Sequence, residues 1–409
     1  MRDKRRFSRR QFLGTTLAGA AGVGLSGLKG LPAVQGQNPP PAASGRLITR
    51  TLGKTGVSLP VVSMGVMNAD VPALVQRAYE LGLRHFDTAA GYQRGRNEEM
   101  VGRVVRNLGV RDKVVIATKI WNPQYRHRLS KDAGRAKFLE TLEASLKRLG
   151  TDYVDIVYAH DVSDIKDLSE PGYLEGMAAA KKQGKARAVG FSTHQEMGPC
   201  LVEAMKLGCF DVVLTTYNYS LHPYPGLLET MNKAAASGIG LIAMKTQCQQ
   251  EWYREELPAD LQAYYRGAIV HSALLKWVMN HTCFTTAVPG FTNFDQLQED
   301  AACAADLTYT AVEKKFLEDR RVKLAIASAC RQCGSCVATC PHGSDVPSLM
   351  RAHMYAFSYG NPIQASETLA SPSVLESFEM CGHCDSCRAT CSGRVPIGRR
   401  IDQLKQAFA

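Results

Sequence analysis

Eight of the chain's thirteen cysteines fall in two short runs, CRQCGSCVATCP from 330 and CGHCDSCRATC from 381. Both runs read C-x2-C-x2-C-x3-C. Disulfides tie loops together, and two-residue spacings repeated twice suit ligation of a compact centre better than cross-links. Zinc takes paired C-x2-C knuckles separated by a longer stretch and has no use for a third close cysteine. A polynuclear centre that accepts three neighbouring thiolates at three corners does use this spacing. The other five (Cys200, Cys209, Cys248, Cys283, Cys303) have no motif spacing and read as small buried hydrophobes.

A second set of residues could reduce a carbonyl. That reaction needs a hydride donor and a proton donor for the developing alkoxide. A tyrosine hydroxyl with its ordinary pKa of ~10 gives up a proton reluctantly at neutral pH. A lysine ammonium beside it stabilises the phenolate and lowers that pKa, while an aspartate keeps the lysine charged and in place. A histidine can orient the carbonyl or share the proton. Asp87, Tyr92, Lys119 and His160 supply this set. Singly, each has a plainer reading: a turn cap, a loop aromatic, a solvated lysine, a satisfied buried histidine. What joins them is the elements that carry them.

Between residues 46 and 308, short β-rich runs alternate with amphipathic helical stretches. Strands are predicted at 61–66, 85–90, 114–120, 153–160, 186–192, 211–218, 240–246 and 285–290. Helices fall between them at 133–149, 173–183, 227–236 and 268–281. Gly82, Gly150, Gly208 and Gly238 punctuate helix ends just before the next strand. Eight β-then-α units over roughly 250 residues is the rhythm of a (β/α)8 barrel, a closed α/β fold. An open doubly wound sheet is the competing architecture, and the missing glycine-rich first turn weighs against it. Chemistry in such a barrel gathers where strands end. Asp87 lies in the second strand with Tyr92 just beyond it, Lys119 closes the third, and His160 closes the fourth.

The segments LGKTGVSLPVVSMG, GLRHFDTAAGYQRGRNEEMVG, VVIATKI, DIVYAH, AVGFSTH and LLKWVMNHTCFTTAVPG resemble the aldo-keto reductase superfamily over about 46–308. The resemblance implies a (β/α)8 barrel binding a nicotinamide dinucleotide, NADP or NAD, without a Rossmann loop. It places Asp87, Tyr92, Lys119 and His160 on the family's catalytic tetrad. It also implies coenzyme contacts from Ser192, Thr193, Met244, Lys245, Pro289, Gly290, Gln296 and Asp300. Several positions depart from the family: Thr193 replaces an asparagine, Leu214 a glutamine, and Met244 a stacking aromatic. Residues 291–294 hold no Arg or Lys for a 2′-phosphate, so NADP over NAD is inherited from the family alone. Residues 251–267 could form a lid in which Trp252, Tyr253, Tyr264 and Tyr265 either meet substrate or pack the loop.

The cysteine run with its following Pro341 resembles bacterial ferredoxins, in which the fourth cysteine of each quartet serves the other cluster. That resemblance implies two [4Fe–4S] clusters, one on Cys330, Cys333, Cys336 and Cys391, the other on Cys381, Cys384, Cys387 and Cys340. Ser392 stands where a second proline would be. The forty residues between the quartets read as helical and exceed a minimal ferredoxin spacer. A barrel followed by such a tail is similar to the iron–sulfur branch of the aldo-keto reductases.

Formal charge is +11 over 409 residues, and +6 of it lies in residues 1–30. The remainder forms no basic stripe with interleaved aromatics, which argues against nucleic-acid binding. Ser8 to Leu13, within SRRQFLGTTLAGAAGVGLSGL, resembles a twin-arginine export signal. The run is too short and glycine-rich for a stable membrane span, which needs ~20 apolar residues. Gly22–Gly27 formally matches G-x-G-x-x-G, but no strand precedes it. The expected organisation is a signal at 1–36, a Pro/Ala/Gln linker at 37–45, a barrel at 46–308, and a helical extension with the cluster domain at 309–409. The route implies export machinery as a partner and a periplasmic location. Because that route carries folded proteins, it suits a chain whose clusters are assembled in the cytoplasm.

These features point to an oxidoreductase acting on a small carbonyl or alcohol, with clusters serving a redox protein partner. No flavin motif links two-electron hydride chemistry to one-electron clusters. An electron-relay or binding protein whose barrel no longer turns over coenzyme is the alternative, and Thr193 and Leu214 are the residues that keep it open.

Overall fold

A computed structural model describes residues 46–121, 129–221, 226–247, 270–320, 322 and 330–408. The signal and linker, Cys248, and the aromatic residues of 251–267 lie outside these.

The first elements are a short antiparallel hairpin, β1 (Thr49–Thr51) and β2 (Ser58–Pro60). Eight parallel strands follow: β3 (Met64–Gly65), β4 (His85–Asp87), β5 (Val115–Trp121), β6 (Val154–His160), β7 (Ala186–Thr193), β8 (Val212–Thr216), β9 (Gly240–Met244) and β10 (Phe284–Ala287). They neighbour one another in chain order. Parallel bridges Val62–Ala287 and Gly65–Gly290 bring the last strand back to the first and close the barrel. Gly65 permits that closure, because a Cβ there would lie 2.7 Å from the Val288 carbonyl oxygen. Every residue of β6 is buried, as expected of a strand covered on both faces.

Helices α1 (Pro72–Glu80), α2 (Arg96–Leu108), α3 (Lys131–Leu149), α4 (Pro171–Lys182), α5 (Met197–Leu207), α6 (Leu227–Ala236), α7 (His271–Met279) and α8 (Phe294–Cys303) ring the strands. One apolar core lies between strands and helices, including Phe86, Val101, Phe138, Leu146 and Phe191. A second fills the barrel with Ala117, Ile156, Tyr158, Leu214 and Ile242, and the hairpin adds Leu52 and Leu59 to it. The eight strands and four helices read from the sequence are all present, shifted by a few residues. The hairpin was not foreseen, because its three-residue strands carry too little alternation to register.

After α9 (Ala311–Glu318), the chain continues into α10 (Val346–Phe357), α11 (Pro362–Leu369), α12 (Pro372–Gly382) and α13 (Ile397–Phe408). Their apolar faces form a separate small core of Val346, Leu349, Leu369, Val374, Ile401 and Leu404, into which Cys336 and Cys381 pack. Residues 43–409 make one compact unit. α10 lies across the strand-end side of the barrel. Arg351 pairs with Asp161 beyond β6 at 2.6 Å, Ser348 accepts from Gln195 beyond β7 at 2.8 Å, and Tyr355 accepts from Lys245 beyond β9 at 3.1 Å. Asn361, capping α11, donates to Asn68 beyond β3 at 3.0 Å. The long spacer between the quartets therefore covers the barrel mouth.

Candidate active site

At the mouth, the Lys119 ammonium is the hub. It lies 2.5 Å from Asp87 Oδ1, donates to the Thr88 carbonyl at 2.7 Å, and reaches Tyr92 Oη at 3.2 Å. These contacts follow from strand register. β4 and β5 run side by side, and both bury their chemistry at their C-terminal ends. Tyr92 opens a helical turn whose next residues, Gln93, Arg94 and Gly95, all have positive φ. The turn is held from behind by Asn97, which accepts from Thr88 Oγ1 and donates to the Val66 and Ala69 carbonyls. Glu98 is fully buried, paired with Arg148 and bonded by Thr118. Asn97 and Glu98, within the GLRHFDTAAGYQRGRNEEMVG segment, thus brace the turn from behind.

His160 packs its ring 5.9 Å edge-on from Tyr92 and 4.6 Å from Trp121. Its Nδ1 and Asp87 Oδ2 are buried without a partner among the described residues. Burial, then the neighbouring cations Lys119, Arg351 and Lys245, hold its pKa well below the ordinary range, so the ring is neutral. Burial pushes the Asp87 carboxyl up and the Lys119 ammonium down, and each partly offsets the shift of the other. Burial also raises the Tyr92 phenol well above 10, reinforced by the carboxylates of Asp87, Asp161 and Glu367. A lysine this close would by itself lower the phenol's pKa, as the spacing predicts. The difference arises because the Lys119 charge is matched by Asp87 at closer range, and Tyr92 is only 9% exposed beneath α10 and α11. Tyr92 therefore holds its proton.

Asp87, Tyr92, Met244, Lys245, Pro289 and Gly290 line one cavity of about 90 Å³. The other predicted coenzyme residues are engaged in hydrogen bonds within the chain. Ser192 Oγ accepts from the Asp161 backbone N–H at 2.9 Å, and Thr193 Oγ1 donates to the Gln195 carbonyl at 2.5 Å. Gln296 caps Thr292, and Asp300 accepts from Gln247 at 2.6 Å.

Four further residues stand at this mouth that the sequence alone did not single out as site residues. His194 lines the cavity with Nδ1 3.0 Å from Thr216 Oγ1, and its place in the AVGFSTH segment was the available signal. Tyr355 and Tyr359 come from the spacer. Glu367 of α11 approaches where Gly91 leaves room: a Cβ there would lie 3.6 Å from Glu367 Oε2 and 3.2 Å from Trp121 Nε1. Burial pushes the Glu367 carboxyl up to about 7, and Arg94 restrains the shift.

The cysteines gather in two groups. Cys330, Cys333 and Cys391 surround Cys336, which burial and these neighbours push up to about 12. Cys340, Cys387 and Cys384 surround Cys381, pushed up to about 11 by burial and the same kind of crowding. Each group draws three cysteines from one run and the fourth from the other. The second group lines a cavity of about 610 Å³. No three His, Cys, Asp or Glu converge as they would on a single metal ion among the described residues. None of the cysteines in either group is in a disulfide. Donors already point at the sulfurs: Gln332 Nε2 at Cys330 (3.2 Å) and the Gly393 N–H at Cys391 (3.3 Å). At Cys340, burial is outweighed by the N–H groups of Ser344, His342 and Gly343, which lower its pKa. These donors and the open cavity suit thiolates holding a polynuclear centre.

Comparison with known proteins gives the same division. The profile of the Aldo/keto reductase family matches residues 63–250, and that of the 4Fe-4S dicluster domain matches residues 329–396. The methylglyoxal reductase DkgB of Salmonella typhimurium is 30% identical over 265 residues, covering 64% of this chain and 92% of that protein. The L-glyceraldehyde 3-phosphate reductase of Escherichia coli K12 is 27% identical over 323 residues, covering 67% and 92%. An aldo-keto reductase of Bacillus halodurans, solved in its holo form, superposes with a TM-score of 0.54 at 21% identity. It covers 68% of this chain and 100% of that one, a likeness of fold.

Proposed function

The chain belongs to the aldo/keto reductase family and carries a 4Fe-4S dicluster domain, and we propose that it transfers hydride between a nicotinamide coenzyme and a small carbonyl or alcohol. It is an oxidoreductase with iron–sulfur clusters. The observation that carries the hydride-transfer reading is the buried Asp87–Lys119–Tyr92 chain ending at a cavity.

Met244, Lys245, Pro289 and Gly290 line the cavity and would help to hold a nicotinamide coenzyme there, Met244 through its apolar side chain and Gly290 through its open backbone. Such a coenzyme supplies the hydride. Tyr92 gives its phenolic proton to the carbonyl oxygen as that oxygen gains charge. Lys119 steadies the resulting phenolate from 3.2 Å, and Asp87 keeps Lys119 protonated and aimed. Neutral His160 presents a ring nitrogen that can orient the carbonyl. NADP is favoured over NAD by family resemblance only.

Cys330, Cys333, Cys336 and Cys391 would hold one [4Fe–4S] cluster, and Cys381, Cys384, Cys387 and Cys340 the other. The clusters would supply one-electron transfer, to a redox protein partner. We also propose export by the twin-arginine route through Arg9 and Arg10. Replacing both arginines with lysine should leave the protein in the cytoplasmic fraction, and unchanged fractionation would refute this part.

Anaerobically prepared protein should bind NADPH or NADH and oxidise it only when a carbonyl such as methylglyoxal is added. Tyr92→Phe should abolish that turnover while coenzyme still binds. A relay without coenzyme turnover is the second reading, favoured by the occupied Ser192 and Thr193 side chains and by the covered mouth. Intact clusters with no binding of either coenzyme would select it.

A further inference from the structure

The mouth contains a second lysine–tyrosine pair, apart from the Asp87–Lys119–Tyr92 chain that handles the proton. Lys245 sits just beyond β9, and its Nζ donates to Tyr355 Oη at 3.1 Å. The same ammonium lies 4.5 Å from the Tyr355 ring centroid and 5.4 Å from that of Tyr359. All three residues line the cavity that holds Tyr92 and Asp87. Lys245 is placed by the barrel, whereas both tyrosines come from the spacer between the cysteine runs.

The position is built rather than incidental. Lys245 has φ +55°, a conformation that costs a residue with a Cβ about 1 kcal/mol or more. Asn218 holds it there by donating to the Lys245 carbonyl at 3.1 Å, and Asn218 is itself fixed by the N–H and hydroxyl of Ser220. Burial and the nearby Arg351 guanidinium push the Lys245 ammonium well below its ordinary range, and Asp161 restrains the shift from a distance. Lys119 is matched by Asp87 and Arg351 by Asp161. Among the described residues, no carboxylate lies within ion-pair distance of Lys245. A lysine withdrawn from water without a counter-charge is costly, and here it stands at the wall of a cavity.

We propose that Lys245, framed by Tyr355 and Tyr359, is the receptor for an oxyanion of the bound ligand, a carboxylate or phosphate held beside the reacting carbonyl. This rests on the reductase reading for what reacts, but the receptor itself does not depend on turnover. An oxyanion accepts from the ammonium and from the Tyr355 hydroxyl, whose pairing with Lys245 already sets the geometry. Two sources share that chemistry: the carboxylate of a small oxo-acid substrate, or the diphosphate of the coenzyme. In either case the cluster domain contributes to the barrel's ligand site, and a barrel without it would lack half of the receptor.

The test is calorimetric titration of the full cluster-loaded chain with pyruvate and, separately, with pyrophosphate. Wild type, Lys245→Met and Lys245→Arg are compared, with iron content and melting temperature showing that each is folded. At least one anion should bind wild type, about tenfold more weakly in Lys245→Met, and substantially recover in Lys245→Arg. Loss confined to pyruvate assigns the substrate carboxylate, and loss confined to pyrophosphate assigns the coenzyme. If neither anion binds, or both bind Lys245→Met as well as wild type, the receptor is refuted. Anion binding that depends on Lys245 in a protein that oxidises no coenzyme would overturn the reductase reading and leave the receptor standing.

Discussion

Lys119 links the acid to its support, so its removal separates two effects. Lys119→Met leaves the nearly inaccessible Asp87 carboxylate without the ammonium 2.5 Å away. Removing one partner of a buried pair costs about 3–5 kcal/mol, and thermal unfolding should register a loss of that size. The double variant Asp87→Asn/Lys119→Met should recover much of the stability and none of the activity. Equal stability of single and double variants would mean the pair is not coupled. At this scale the sequence was informative where strand ends impose position: Asp87, Tyr92, Lys119 and His160 could be grouped because register brings successive strand ends to one rim. The Lys245–Tyr355 pair could not be, since 110 residues separate its members and no periodicity links them.

At the scale of elements, α10 and α11 are what distinguish this mouth from that of a bare barrel. Eight strands and four of the helices between them were legible because each buries a face with a fixed period. The same signal made the spacer helical without saying what it covers. Periodicity reports that a face is buried, and the partner is set by contacts such as Asn68–Asn361, 293 positions apart. Glu367 on α11 gives this docking a pH dependence. Its folded pKa of about 7 stands above its ordinary 4.5, so the folded state retains a proton that the unfolded chain has lost. Stability from this group is therefore present below about pH 4.5 and lost as pH rises toward 7. Glu367→Gln should flatten the fall in melting temperature across that window. A profile parallel to wild type would show that the carboxyl does not titrate against the mouth.

Across the whole molecule, two modules of unlike chemistry share one surface. The cysteine spacing was readable because ligands close in sequence leave a local trace, whereas the crossing of the fourth ligand rests on how the two runs fold back on each other. That crossing makes opposite predictions for two similar serine variants. Cys340→Ser should weaken the EPR signal of the cluster held mainly by the second run, and Cys391→Ser that of the cluster held by the first. Each variant should retain the other cluster, with iron near four per chain rather than about eight. Loss of the same signal in both variants would contradict crossed ligation.

Hydride passing to a carbonyl at the mouth beside Tyr92 is the central event to test. The direct measurement is to supply anaerobic, cluster-loaded protein with NADPH or NADH deuterated at the transferring position, together with methylglyoxal or pyruvate, and to weigh the product. One deuterium bound to the former carbonyl carbon, formed by wild type and absent with Tyr92→Phe, is the predicted result. Oxidation of the coenzyme with no deuterium in the product would mean that the electrons leave by another route, and would contradict it.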